Sequence, residues 1–427
     1  MIKHLPRSAR DAGRAEECIT PAFRLSCRLV CRRDLAFCAL VVAGGVLALP
    51  AESGQTFNEA TTNQLRFFSQ GNCGLTKSGT ALNANCTSGF LPGGEGSASN
   101  GSASSSVSSP AALAPGQERI RVFRERQGKS GGSADTSIGL GQGFSLFVAP
   151  GYERLSHSNN AYEDGYASDI GGVTVGGDYQ FNTYLLAGLA FSYRYQDARY
   201  DDGGGFNTSD YGLTVYGSVL PVDNAFIDVA AGYGWQKSNE TRVGRLFNNV
   251  GVNYAKARLR SDYTGDRLTA GVIAGYDQPI DNINVGPRIG FNATHQEREP
   301  YHEKGGLGLP LEYQRDSQTS LQSSLGAAAS MAVSTTFGVL LPQIEAAWVH
   351  EFANDQRGMK ARFRQSTAQV GNFRYDSESP DRNFGIIGVG LTAVLPNGLQ
   401  PFMAFRSIVG NDNYNSYAVS AGLRLEL

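Results

Sequence analysis

Histidine, methionine and tryptophan are scarce in this 427-residue chain, with five, four and two residues. No His-Glu-x-x-His pair and no phosphate-binding loop occurs, so two common routes to hydrolytic or nucleotide chemistry are missing. Neither charge sign is in excess. Lys and Arg number 37 against 39 Asp and Glu, a formal net charge of -2, which excludes an electrostatic nucleic-acid binder. Long apolar runs are absent except at 35–51. Cysteine is rare beyond that run: of six, Cys18, Cys27, Cys31 and Cys38 precede its end, and Cys73 and Cys86 follow it.

The run at 35–51 follows Arg32-Arg33 and ends at Pro50-Ala51, before Glu52-Ser53-Gly54. This reads as a secretory signal with cleavage near Ala51, preceded by a long basic stretch. The other reading is a transmembrane anchor, for which the run is short. With residues 1–51 as leader, Cys73 and Cys86 remain as an even pair in an exported segment. They fit one local disulfide, and no histidine lies near them to suggest a metal site.

What the chain has in quantity is glycine, 53 residues, together with 19 Tyr and 22 Phe. Residues 91–115 are rich in Gly, Ser and Ala and read as a linker. The charged stretch 118–127 places Ile120 and Phe123 three apart, as on one face of a helix. From about residue 144 the texture becomes uniform. Apolar and polar residues alternate with a period of two, the signature of strands with unlike faces. Twelve such segments are expected: 144–155, 169–181, 184–197, 209–220, 225–237, 266–280, 283–294, 320–333, 340–352, 383–394, 400–408 and 417–427. In the fifth, for example, Ile227, Val229, Ala231, Tyr233 and Trp235 oppose Asp228 and Gln236.

Their connections alternate in length. Asn182-Thr183, 221–224, Asp281-Asn282, 334–336 and Pro396-Asn397-Gly398 are short and carry turn chemistry. The stretches 156–168, 198–208, 238–265, 295–319 and 353–382 are long and polar. Short turns on one rim and long loops on the other predict an all-β fold, a 12-stranded antiparallel transmembrane β-barrel with a short N-terminal exported segment. An even strand number closes such a ring and leaves no edge in lipid. A soluble sandwich or propeller also needs two-faced strands, but does not explain the alternation of connection lengths.

Three stretches then resemble one known family, the autotransporters of type V secretion in Gram-negative bacteria. The ninth strand, with Pro342, Trp348, His350, Glu351 and Phe352, is similar to the family's late-barrel signature. Gly275-Tyr276-Asp277 and the following Val285-Gly286-Pro287-Arg288-Ile289-Gly290 resemble its middle hairpin. The C-terminal strand, with Tyr417, Gly422, Leu425 and Leu427, looks like its outer-membrane assembly signal, although that signal usually ends in Phe or Trp. The resemblance covers roughly 140–427.

The resemblance implies a division into a leader at 1–51, a short passenger-like segment and linker at 52–115, a pore-lining helix or linker at 116–142, and the barrel from 143. It implies insertion in the outer membrane and transport of the N-terminal segment to the cell surface. Expected partners are outer-membrane lipid, the assembly machinery and periplasmic chaperones; no nucleic acid and no cofactor is expected, and the barrel is expected to be monomeric. From charge sign, Arg121, Arg124 and Arg126 would face Asp178, Asp228, Asp277 and Glu345 in the lumen. The 64 residues of 52–115 are few beside the long passengers of the family. A second function class is therefore kept: a narrow porin or a surface-binding barrel acting through its long loops.

No enzyme is expected. His350 adjoins Glu351, but neighbours on a strand point to opposite faces. His295 and His302 share a stretch with Glu297, Glu299 and Glu303, which reads first as a solvated loop and second as a metal site. Asp197, Asp201 and Asp202 read first as surface charge, and His157 beside Ser156 and Ser158 is too little for a hydrolase set.

Overall fold

Period-two patterning produces twelve long strands that hydrogen-bond into one ring in the computed structural model. The structure describes residues 79–81, 84, 91–93 and 143–426, apart from 161, 163, 202, 248–252, 354, 356–357, 367–372 and 380. The leader at 1–51, Cys73, Cys86, the passenger-like segment apart from the residues just named, Arg121, Arg124, Arg126 and Leu427 lie outside the described residues.

The wall strands are β1 (Phe144–His157), β2 (Tyr166–Asn182), β3 (Leu185–Tyr200), β4 (Gly204–Val222), β5 (Ala225–Phe247) and β6 (Asn253–Tyr276). They continue as β7 (Ile283–Arg298), β8 (Asp316–Met331), β9 (Gly338–Glu351), β10 (Asn383–Val394), β11 (Leu399–Val409) and β12 (Tyr414–Glu426). Each pairs antiparallel with its neighbours in sequence, and β12 returns to β1, with Tyr414 opposite His157 and Glu426 opposite Ser145. The 12-stranded ring is closed. Residue 143 and the C-terminal end of β12 both lie at the rim of short turns.

Those turns use the residues their geometry demands. Tyr184 donates its backbone N–H to Asn182 at 2.8 Å, and Asn224 and Asp281 take φ of 66° and 54°. Asn and Asp tolerate this left-handed region because their side chains bond locally.

The two faces of the wall are inverted relative to a water-soluble protein. On β1, Phe144, Leu146, Val148 and Tyr152 are exposed, while Ser145, Phe147, Ala149 and Glu153 are buried. The same holds around the ring: Val173, Leu189, Phe191, Leu213, Val229, Leu268, Ile289, Ile344, Val389, Met403 and Leu423 are exposed, whereas Asp178, Asp210, Asp228, Arg267, Glu351 and Arg424 are buried. A continuous exposed apolar belt of this extent is unfavourable in water and matched to hydrocarbon. Phe147, Ala149, Leu186, Ala190, Tyr216 and Phe402 form a buried apolar cluster on the inner wall near the turn rim.

The loop rim departs from the sequence reading. The stretch 238–265 is not a loop: β5 and β6 pair continuously from Ala225 and Tyr276 out to Phe247 and Asn253, so most of it is a tall hairpin. Alternation persists there, but the outward residues Lys237, Asn239 and Thr241 are polar and the inward ones are Ser238, Glu240 and Arg242, so both faces look loop-like. The connection expected at 198–208 shrinks to a tight turn between Tyr200 and Gly204. Two connections expected as loops form a second, four-stranded sheet from Tyr301–His302, Leu311–Tyr313, Gly358–Phe363 and Phe373–Asp376.

Candidate functional site

The site is the lumen and the folded cap at its loop rim. It is built from the inward-pointing positions of the wall, which are polar at most levels, and many of them bond side chains on neighbouring strands. Near the turn rim Asp178 accepts from Ser145 Oγ at 2.7 Å and from Tyr216 Oη at 3.1 Å. Asp228 accepts from Ser218 Oγ at 2.7 Å, and Arg406 donates to Glu345 at 2.7 Å. Asp277 pairs with Arg288, whose guanidinium stacks 4.6 Å from the Phe226 ring centre. The four acidic residues expected to meet arginines from 121–126 are thus placed with partners on the barrel itself; those arginines lie outside the described residues.

Halfway up, Arg194 and Arg267 both contact Asp210, with Arg267 Nη1 at 2.8 Å from Oδ2. Arg194 and Asp210 are cross-strand partners on β3 and β4, but Arg267 comes from β6 and must pass over β5. Gly234 of β5 lies beneath that path, and a Cβ there would stand 3.2 Å from the Arg267 guanidinium and 3.3 Å from Asp210. This buried triad was missed in the sequence. Its signal was available: three charges at inward positions of three strands, with a glycine on the strand between. Higher still, Gln296 donates to Gln236 at 2.8 Å, Thr208 and Ser238 share a bond of 2.8 Å, and Glu153 accepts from Ser416 at 2.7 Å.

Above the apolar belt the inner face of the β5–β6 hairpin carries the cap. Leu246, Leu259 and Tyr263 pack with Tyr301, Leu309, Leu311, Tyr313, Met359, Ala361 and Phe363 in one buried core. Tyr263, Tyr301 and Tyr313 stack in series with ring centres 4.5 Å apart at each step. The cap is also locked by charge. Arg242 donates twice to Glu303, at 2.8 and 2.7 Å, and Glu303 accepts the Leu311 backbone N–H at 2.9 Å. Arg298 donates to Asp316 at 3.0 Å and lies over the Tyr263 and Tyr301 rings. Glu240 accepts from Tyr200 Oη at 2.7 Å, and burial pushes its carboxyl up to about 7, opposed by the Tyr200 bond and by Arg298 and Arg242.

Trp348 and His350 on β9 and Phe352 just beyond it form an outward aromatic row, with ring centres 5.7 and 4.8 Å apart. His350 Nδ1 meets Asn383 Oδ1 at 2.9 Å, and Pro342 sits opposite Leu391 in the β9–β10 ladder. Glu351 points inward and ties the ends of β8 and β9, accepting from Ser320 Oγ at 2.5 Å, Gln322 Nε2 at 3.0 Å, and the backbone N–H groups of Leu321 at 2.8 Å and Ala353 at 3.0 Å. His350 and Glu351 therefore do not act together. On β12, Tyr417 and Leu425 are exposed on the apolar belt, while Gly422 faces inward against the Phe402 ring. His295, paired with Thr319 at 2.9 Å, is separated in role from Glu303, which holds Arg242, and from Glu297 and Glu299, which hold Arg315. Among the described residues no group of three or more His, Cys, Asp or Glu is arranged to hold a metal ion.

Comparison with known proteins places this geometry. The family model for the autotransporter β-domain matches residues 146–406. The chain is 22% identical over 253 residues to Lipase 1 of Photorhabdus luminescens, covering 59% of this chain and 37% of that protein. It is 24% identical over 276 residues to an extracellular serine protease of Serratia marcescens, covering 62% of this chain and 24% of that one. The chain thus spans little more than a third, or less, of the curated relatives it matches. Among solved structures it is similar in fold to the translocator domain of the autotransporter NalP from Neisseria meningitidis, with a TM-score of 0.53 at 13% identity, over 75% of this chain and all of that one.

Proposed function

This chain belongs to the autotransporter β-domain family, and on that premise we propose that it is an outer-membrane translocator that passes its N-terminal segment to the cell surface. The observation that carries the reading is the position of two points of the chain. The barrel starts from residue 143 at the turn rim, whereas Leu91–Gly93, upstream in sequence, pairs with Phe247–Arg245 at the far tip of the β5–β6 hairpin. The 49 residues between them, 94–142, must connect opposite rims. Fully extended they would reach about 160 Å, ample for the purpose. A polar lumen is the route open to a polypeptide, because lipid admits no unsatisfied backbone.

The exposed apolar belt meets outer-membrane lipid. The amphipathic strand β12, which closes the ring, would be the segment read by the assembly machinery after periplasmic chaperones release the chain. The closed ring leaves no wall strand unpaired, which fits a monomer. The barrel acts as a conduit without catalysis of its own. The lipase and protease activities belong to relatives of which most lies outside the matched stretch. A second reading, surface binding through the cap, draws on the separate core formed by Tyr301, Tyr313 and Phe363 with the hairpin.

The test is external proteolysis of intact cells carrying an epitope near residue 60. Cleavage at the epitope supports translocation. An epitope cut only after the outer membrane is permeabilised supports a plain barrel.

A further inference from the structure

We infer that the outer edge of β5 is a docking strand that holds the exported segment at the cell surface by sheet extension through Leu91–Gly93. The inference rests on the translocator reading above and adds what happens to the segment once outside.

The edge is made by a mismatch in strand height. β4 begins at Gly204, opposite Arg242, so 243–247 of β5 rise above β4 on that side. The turn before β4 is kept low by Gly203, Gly204 and Gly205, with φ of 97°, 92° and 150°, a run of backbone conformations that L side chains rarely adopt. At Gly204 and Gly205 a Cβ would also run into the backbone carbonyls of Thr241 and Ala198. On its other side β5 is fully covered by β6, up to Phe247 opposite Asn253. One edge of the tall hairpin is therefore available, and an uncovered edge is a template for another strand.

Leu91–Gly93 occupies that edge in antiparallel register, Leu91 opposite Phe247, Pro92 opposite Leu246 and Gly93 opposite Arg245. Its direction matters. β5 runs outward to the tip, so the added strand runs from the tip back toward the membrane, the polarity required of a segment whose continuation returns to residue 143 at the opposite rim. Proline at its centre fits an outermost strand, because Pro92 has no N–H to offer a further partner, and the sheet ends there. A three-residue strand would bind weakly if free. Here it is tethered to the barrel by 94–142, so docking is intramolecular and needs little intrinsic affinity. The barrel thus keeps the segment it exports close to its own surface.

The test uses the full chain in the outer membrane with a photoreactive residue, Arg245→p-benzoylphenylalanine, opposite Gly93, and a control, Asn239→p-benzoylphenylalanine, which faces Asn207 of β4. Heat-modifiable migration verifies that each barrel is assembled, and the epitope near residue 60 is scored for surface cleavage in the same cells. The expected result is an intramolecular adduct of residue 245 with the peptide containing Leu91–Gly93, no such adduct from residue 239, and a surface-cleavable epitope. A cleavable epitope with no adduct from residue 245, or with equal adducts from both probes, overturns docking and leaves translocation standing. An epitope protected in intact cells overturns translocation, and docking with it.

Discussion

Arg242 and Glu303 form a parallel two-bond ion pair, 2.8 and 2.7 Å, with both side chains only 2% exposed. Arg242 belongs to the tall β5–β6 hairpin and Glu303 to the cap, so the pair is one of the links between them, beside their shared core and the Arg260–Lys304 backbone bonds. Removing one member leaves a buried charge without its counterion, which typically costs about 3–5 kcal/mol. Arg242→Met or Glu303→Gln should release the cap without unfolding the ring. The expected outcome is rapid hydrogen exchange and protease cleavage across 299–315, with protection in β1–β3 unchanged. The double variant should lose less than the sum of the two, because the second change removes the stranded charge.

Glu240 gives the cap a pH dependence. Its outward neighbours Lys237, Asn239 and Thr241 are polar, so it sits above the apolar belt, and burial raises its carboxyl from 4.5 to about 7. A carboxyl raised on folding is held more favourably when protonated. Its contribution is complete below 4.5 and is lost as pH rises through about 7, by an amount on the order of 3 kcal/mol. Cap protection by hydrogen exchange should fall between pH 5 and pH 8. Glu240→Gln, which mimics the protonated form and keeps an acceptor for Tyr200, should flatten that profile and hold protection at pH 8.

Ile344 stands near the middle of β9 on the exposed apolar face, 59% accessible, beside the inward Glu345. If that face meets hydrocarbon, Ile344→Lys should destabilise the folded barrel by about 2–4 kcal/mol, the cost of a cation near the bilayer midplane. Reversible urea unfolding in lipid vesicles measures it. The same substitution at Asn239, above the belt, should be nearly neutral.

The wall was legible in the sequence because hydrocarbon outside and polar groups inside impose a strict period of two, and every wall strand carries part of that pattern. Ile227, Val229 and Tyr233 against Asp228 show it plainly. The signal fades above the belt. Once water replaces lipid, Asn239 and Glu240 no longer differ in character although one is outside and the other buried, so the upper hairpin reads as loop. The cap strands, two to six residues long, are too short for periodicity, and they are held in a core shared by segments far apart in sequence, which includes Leu246 and Phe363. Single charges like Arg194, Asp210 and Arg267 were visible, but their meeting depends on register, which follows only once the strands are paired.

Translocation is tested most directly by three epitopes in one chain, probed with external protease on intact cells: one near residue 60, one within 248–252, between the ends of β5 and β6, and one at Asn397 in a short turn. The predicted result is cleavage at the first two and protection of the third, which places the N-terminal segment on the loop side of the membrane while the barrel's entry rim stays inside. Protection of the residue-60 epitope together with Asn397, while 248–252 is cut, would contradict it.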